Sequence, residues 1–178
     1  FYNMKINDHS PSPRSNLYLV GLMGTGKSTL GKMLAKRLGM NFRDSDQEIE
    51  KAAKMNVSQI FHQKGEAHFR SLEKDFISYG HPQENCLVAC GGGLCIPHGM
   101  MESLKERGHV VCLWASITTL VERTSSDKTR PLLQNTNPLS ALQDLLNQRE
   151  EKYKEADILI ETDDLSPVQV VELIISKL

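Results

Sequence analysis

The sequence predicts an α/β domain, a parallel sheet covered on both faces by helices, with ligands gathered at the carboxyl ends of the strands. Three observations predict it. Short apolar runs alternate with helical patterns along the chain, the order that parallel pairing through crossover helices requires. A glycine-rich loop ending in Lys27-Ser28 lies between the first apolar run and the first helix, the junction where this class binds anions. The 178 residues and 39% hydrophobic content suit one domain with an ordinary core.

The elements follow in order. Residues 1–16 carry Pro11 and Pro13 without a hydrophobic period, so they read as a loose leader lacking a secretory apolar region, and the domain as 17–178. Leu17-Tyr18-Leu19-Val20 reads as the first strand, and Leu30, Met33, Leu34 and Leu38 mark the helix after it. A second strand runs from Met40 to Asp44, and Ile49, Ala52 and Ala53 mark another helix. Residues 58–79 keep helical spacing but are interrupted at Gly65, which predicts two pieces. Cys86 to Cys90 is a buried strand closed by three glycines, Pro97 opens a helix, and Val110 to Trp114 forms the next strand. Ile117, Leu120 and Val121 begin a helix that ends before a polar, proline-bearing stretch from Ser125 to Pro138, long enough to be a lid or binding segment. Leu139, Leu142, Leu145 and Leu146 mark a further helix, Ile158 to Ile160 the last strand, and Ser166-Pro167 cap the closing helix.

Bulk properties narrow the function classes. A net charge of -1 argues against a wide nucleic-acid footprint, and with no 18-residue apolar run to cross a bilayer the expectation is a soluble, cytoplasmic protein. Cys86, Cys90, Cys95 and Cys112 contain no Cys-x-x-Cys pair, so reduced core thiols are expected rather than a zinc or redox motif. No apolar surface stripe is left over, which favours a monomer.

Gly21-Leu-Met-Gly24-Thr25-Gly26-Lys27-Ser28-Thr29 has the chemistry of a phosphate cradle. Glycine permits the backbone turns that aim successive N–H groups inward, Lys27 reaches the β- and γ-phosphates, and Ser28 offers its hydroxyl to Mg²⁺. Asp44 and Asp46 follow the second strand, where one carboxylate can face metal-bound water and the other a substrate hydroxyl; capping of the next helix by Ser45 or Asp46 is the alternative. Gly91-Gly92-Gly93 permits close approach of a ligand or another backbone, or is only a tight turn. Arg70, flanked by Glu66 and Glu73, suits ordinary helix-surface pairing, and Arg149 beside Gln148, Glu150 and Glu151 suits a solvated face. Arg130 lies inside the 125–138 segment, where an arginine could swing over a transferring phosphate.

In order and spacing, these signatures together resemble the shikimate kinases: Gly21 to Thr29, Asp44-Ser45-Asp46, Gly65-Glu66 with Phe69-Arg70, the triple glycine, Arg130-Pro131-Leu132-Leu133, and Arg149 with Tyr153. The resemblance implies a P-loop, nucleoside-monophosphate-kinase-like three-layer fold with a five-stranded parallel sheet, a substrate segment at about 45–80 and a lid at about 125–138. It implies transfer of the ATP γ-phosphoryl group to the 3-hydroxyl of shikimate in aromatic amino acid biosynthesis. It places Asp46 at the ring hydroxyls as base or orienter, Arg70 and Arg149 at the carboxylate, and the backbone of Gly91, Gly92 and Gly93 beside the substrate. Glu73 would fix Arg70. Gly24 to Thr29, Arg123 and Arg130 would bind ATP, with Lys27 and Arg130 neutralising phosphate charge; Ser28 would hold Mg²⁺ directly and Asp44 through water. Glu151 stands where the family commonly has proline, which implies that the helix carrying Arg149 continues. A gluconate kinase and a non-catalytic nucleotide-binding module are the rival readings; the Asp46, Arg70 and triple-glycine set counts against the first, and the complete charged set against the second.

Overall fold

The computed structural model describes residues 15–124 and 137–178. Five strands, β1 (Asn16–Val20), β2 (Asn41–Asp44), β3 (Cys86–Ala89), β4 (Gly108–Trp114) and β5 (Ile158–Glu161), form one parallel sheet in the order β2-β3-β1-β4-β5. Eight helices among the described residues connect and cover it: α1 (Lys27–Leu38), α2 (Ser45–Ala53), α3 (Val57–Lys64), α4 (Glu66–Tyr79), α5 (Met100–Arg107), α6 (Ile117–Thr124), α7 (Pro138–Lys154) and α8 (Pro167–Lys177).

Strand alternation divides the core in two. Leu17 and Leu19 of β1, Leu87 of β3, and Val111 and Leu113 of β4 pack with α1 and α8 on one face. Tyr18, Val20, Val88, Val110 and Cys112 point the other way, against Ile60, Phe69, Leu104, Leu142 and Tyr153. Because β1 is covered on both faces, it reads as an unbroken apolar run rather than an alternating one.

This topology positions the site. The chain builds β2 and β3 on one side of β1, then crosses to place β4 on the other, so the carboxyl end of β1 is a switch point where connections diverge and leave a crevice. The glycine-rich loop leaves β1 there, Asp44 ends β2, and the triple glycine follows β3.

Two boundaries differ from the sequence reading. Asn16 belongs to the sheet rather than to a leader: it is buried, its Oδ1 accepts the Cys86 N–H at 2.9 Å, and its Nδ2 donates to the Pro82 carbonyl at 2.9 Å. Pro97 does not open a helix. Gly99, in the left-handed region at φ 81°, caps α5, and Pro97 supplies only a turn carbonyl that accepts the Met100 N–H at 3.1 Å. The break at Gly65 appears as expected, with φ 82° separating α3 from α4. The leader up to residue 14, and the 125–138 segment apart from Asn137 and Pro138, lie outside the described residues; those two residues cap and begin α7.

Candidate active site

The loop after β1 closes on itself before any ligand is considered. Gly24 and Gly26 take φ values of 84° and 90°, a region that side chains other than glycine rarely adopt, and they turn the chain into α1. Lys27 Nζ donates to the carbonyls of Gly21 at 2.8 Å and Leu22 at 2.9 Å, holding the ammonium over the loop. Thr25 is buried beneath it, its hydroxyl donating to Leu22 O at 2.8 Å, so its side chain braces the loop from inside.

Asp44, rather than Ser45 or Asp46, caps α2. Its Oδ1 accepts the backbone N–H groups of Asp46 at 3.1 Å and Gln47 at 3.3 Å. Its Oδ2 accepts the Ser28 hydroxyl at 2.6 Å, which joins β2 to the first turn of α1. A hydroxyl and a carboxylate beside a phosphate cradle are hard oxygen donors. No group of three or more His, Cys, Asp or Glu residues among those described could hold a metal by itself. The Ser28 hydroxyl and Asp44 carboxylate are of the oxygen type that a hard divalent cation takes.

The triple glycine gathers the remaining charged residues. A Cβ on Gly91 would lie 2.5 Å from Asp46 Oδ1 and 3.2 Å from Glu73 Oε1; one on Gly93 would lie 2.5 Å from Arg70 Nη2; one on Gly92 would lie 3.7 Å from Arg149 Nη1. Asp46, Arg70 and Arg149, taken from α2, α4 and α7, thus converge on three consecutive residues that have no side chains to exclude them. Arg149 is 9% exposed, which removes the solvated-face reading. Its helix runs through Glu151 without a break, as the missing proline implied.

Arg70 is held firmly. Its Nη1 donates to Glu73 Oε2 at 2.6 Å and its Nη2 to Glu66 Oε1 at 2.8 Å, while the rings of Phe61 and Phe69 lie within 6.0 Å of the guanidinium. Burial works against its charge, but Glu73 and Glu66 together outweigh it and the pKa rises above the ordinary value. Tyr153 donates to Gly92 O at 2.6 Å and steadies the turn.

The acids feel their burial. Desolvation pushes Asp46 up to about 6, with Asp44 adding to the shift and Lys27 opposing it. Desolvation likewise raises Glu73 to about 7 against the pull of Arg70. Asp46 Oδ1 and Glu73 Oε1 are buried and carry no hydrogen-bond partner. Two unpaired acceptors beside Gly91 suit a ligand that brings hydroxyl donors. All four cysteines are free and buried, and Cys95 and Cys112 are raised by burial to about 12, so they remain thiols.

A cleft of about 380 Å³ runs from the phosphate loop, including Lys27, Ser28 and Thr29, past Asp44 and Asp46 to Gly91 and Gly92, with Arg123 at its rim. Arg123 reaches the residue after β5, its Nη1 and Nη2 lying 3.4 Å from Thr162 Oγ1 and O. Asp163 accepts from Ser116 N at 3.0 Å and Thr119 Oγ1 at 2.6 Å, strapping the same loop to the start of α6. A single threonine and aspartate carry no periodic or motif signal, so nothing in the sequence marks this loop as a contact, and Ser45 stands out there only as a possible cap. Arg130 lies outside the described residues.

A phosphate loop at the switch point of a parallel sheet, opposite a pocket of carboxylate and guanidinium groups, defines a P-loop kinase acting on a small acceptor. The sequence model of the shikimate kinase family matches residues 23–178. A shikimate kinase from Thermodesulfovibrio yellowstonii is 41% identical over 162 residues, covering 91% of this chain and 94% of that one. The structure of shikimate kinase from Acinetobacter baumannii in complex with shikimate superimposes with a TM-score of 0.88 at 39% identity, covering 92% of each chain. The chain belongs to the shikimate kinase family. A gluconokinase from Sinorhizobium meliloti shares the fold alone, with a TM-score of 0.55 and 18% identity over 90% of this chain and 88% of that one.

Proposed function

We propose that this chain transfers the γ-phosphoryl group of ATP to the 3-hydroxyl of shikimate, giving shikimate 3-phosphate and ADP in aromatic amino acid biosynthesis. The observation that carries the reading is the convergence of Asp46, Arg70 and Arg149 on Gly91–Gly93, with Asp46, Gly91 and Gly92 lining the same cleft as the phosphate loop. A small anionic polyol offers a carboxylate to guanidinium forks at one end and a hydroxyl to a carboxylate at the other.

In this reading Arg70 and Arg149 hold the carboxylate of the acceptor, and Glu73 keeps Arg70 oriented. Asp46, with its unpaired Oδ1, accepts the proton of the attacking hydroxyl or aligns it. The backbone of Gly91, Gly92 and Gly93 lies against the ring. The Gly24 to Thr29 backbone and Lys27 hold the polyphosphate, and Arg123 lies along the nucleotide base. Ser28 would hold Mg²⁺ and Asp44 would reach it through water; bound there, the ion would neutralise charge on the phosphates. Arg130 is assigned to the transferring phosphate, segment 125–138 to a lid and 45–80 to acceptor binding on sequence grounds. Little covalent participation is asked of the protein, so alignment and cationic groups supply most of the rate enhancement.

We place the protein in the cytoplasm on its four free thiols, without a nucleic-acid or membrane partner on its net charge of -1 and the lack of an 18-residue apolar run, and as a monomer because the sequence leaves no apolar surface stripe over. No helix among the described residues is long and apolar enough to cross a membrane. Release of ADP from Mg·ATP, assayed separately with shikimate, gluconate and nucleoside monophosphates, tests the activity. Turnover with shikimate is expected; turnover with gluconate alone overturns the acceptor assignment, and no product with any acceptor overturns catalysis.

A further inference from the structure

Within Asp44-Ser45-Asp46, the outer residues serve the phosphate side and the acceptor side of the site, while the middle one is 0% exposed. The parallel ladder between β2 and β3 ends at the pair Asp44↔Ala89. Two residues past Ala89, Ser45 Oγ accepts the Gly91 N–H at 2.8 Å, so a side chain continues the tie beyond the end of the sheet. Gly91 is also the residue whose Cβ would fall 2.5 Å from Asp46 Oδ1. One hydrogen bond therefore connects the first turn of α2, which carries Asp46, to the backbone turn beside which Arg70 and Arg149 gather.

We infer that Ser45 is a positioning residue for phosphoryl transfer. Its hydroxyl locks the Gly91–Gly93 turn to the start of α2 and so sets the separation between the Asp46 carboxylate and the surface against which the acceptor lies. The inference rests on the role proposed for Asp46. It follows from the geometry of close approach: Asp46 and Gly91 have no side-chain bulk between them, so their spacing depends on what holds the two backbones, and misplacement by about 1 Å can lower a rate about a hundredfold.

The test is Ser45→Ala, which leaves the partly buried Gly91 N–H without its acceptor. Turnover of shikimate per folded site should fall about tenfold or more, KM for ATP should stay within twofold, and exchange of the Gly91 amide, followed by NMR, should accelerate about tenfold. Ser45→Thr, which keeps the hydroxyl, should restore both. Turnover per folded site within twofold of the wild type, or an equal loss in KM for both substrates, overturns the inference. Should Ser45→Ala not fold, the wild-type protein decides: a Gly91 amide protected like those of the sheet supports the tie, and exchange at the rate of an open loop refutes it. If the wild type does not phosphorylate shikimate, the functional reading fails, while Gly91 exchange still judges the tie.

Discussion

Gly93→Ala isolates the contribution of close approach to acceptor recognition. Gly93 does not adopt a positive φ, so a methyl group adds no backbone strain there. The obstacle is one side chain: the new Cβ would lie 2.5, 2.7 and 2.8 Å from Nη2, Nη1 and Cζ of Arg70. Non-bonded contacts of this kind are comfortable near 3.5 Å, so the guanidinium must retreat by about 1 Å. Its retreat disturbs the ion pairs that now aim it, Nη1 to the buried Glu73 at 2.6 Å and Nη2 to the exposed Glu66 at 2.8 Å. Losing one charge-assisted hydrogen bond to the acceptor carboxylate costs roughly 1.5–3 kcal/mol, about 10- to 150-fold in affinity. The expected result is a rise of that size in KM for shikimate, with KM for ATP unchanged and the thermal midpoint lowered by a few degrees at most. A coupled ADP-release assay at saturating ATP, paired with a thermal melt, measures both. If KM for shikimate stays within twofold in a folded variant, Arg70 does not hold the acceptor from its observed position.

Asp46→Asn should lower kcat more than a hundredfold and leave ATP affinity intact, yet raise the melting temperature at pH 7.5. The shift of this buried carboxyl from 3.8 to about 6 represents up to about 3 kcal/mol of strain in its charged form, which a neutral amide relieves. A lower melting temperature or near-normal kcat would contradict this. The pH profile follows from the same group: log kcat/KM for shikimate should fall with unit slope below about pH 6, and a flat profile to pH 4.5 counts against Asp46 as the group that must be ionised. The sign for stability is opposite. A folded-state pKa raised above the ordinary value contributes stability fully present below about pH 4 and lost as pH rises through about 6, so acidification to pH 5 should reduce turnover without Asp46 weakening the fold. Asn16→Ala removes the acceptor of the Cys86 N–H and a donor to Pro82 O, and urea unfolding should show a loss of about 1–3 kcal/mol with unchanged KM values. Asp163→Ala removes the strap from the 162–165 loop to α6, which should raise KM for ATP several-fold and leave KM for shikimate alone.

The elements and the phosphate loop were legible in the sequence because their determinants are local. The turns at Gly24 and Gly26, the reach of Lys27 and the entry into α1 all lie within one stretch of chain, and burial of β1, β3 and β4 on both faces leaves continuous apolar runs in the sequence. Tertiary structure alone decided what distant residues do to one another. Arg149 could have faced water until α7 packed it against Gly92; Asp44, Ser45 and Asp46 could have exchanged the roles of cap, tie and acceptor until β2 was placed beside β3. Asn16 looked like the tail of a leader because a polar residue at a strand start has no apolar signature, and its partners lie 66 and 70 residues away. Backbone conformation and periodicity are properties of neighbours along the chain, whereas a buried polar group takes its role from whichever partners the fold brings to it.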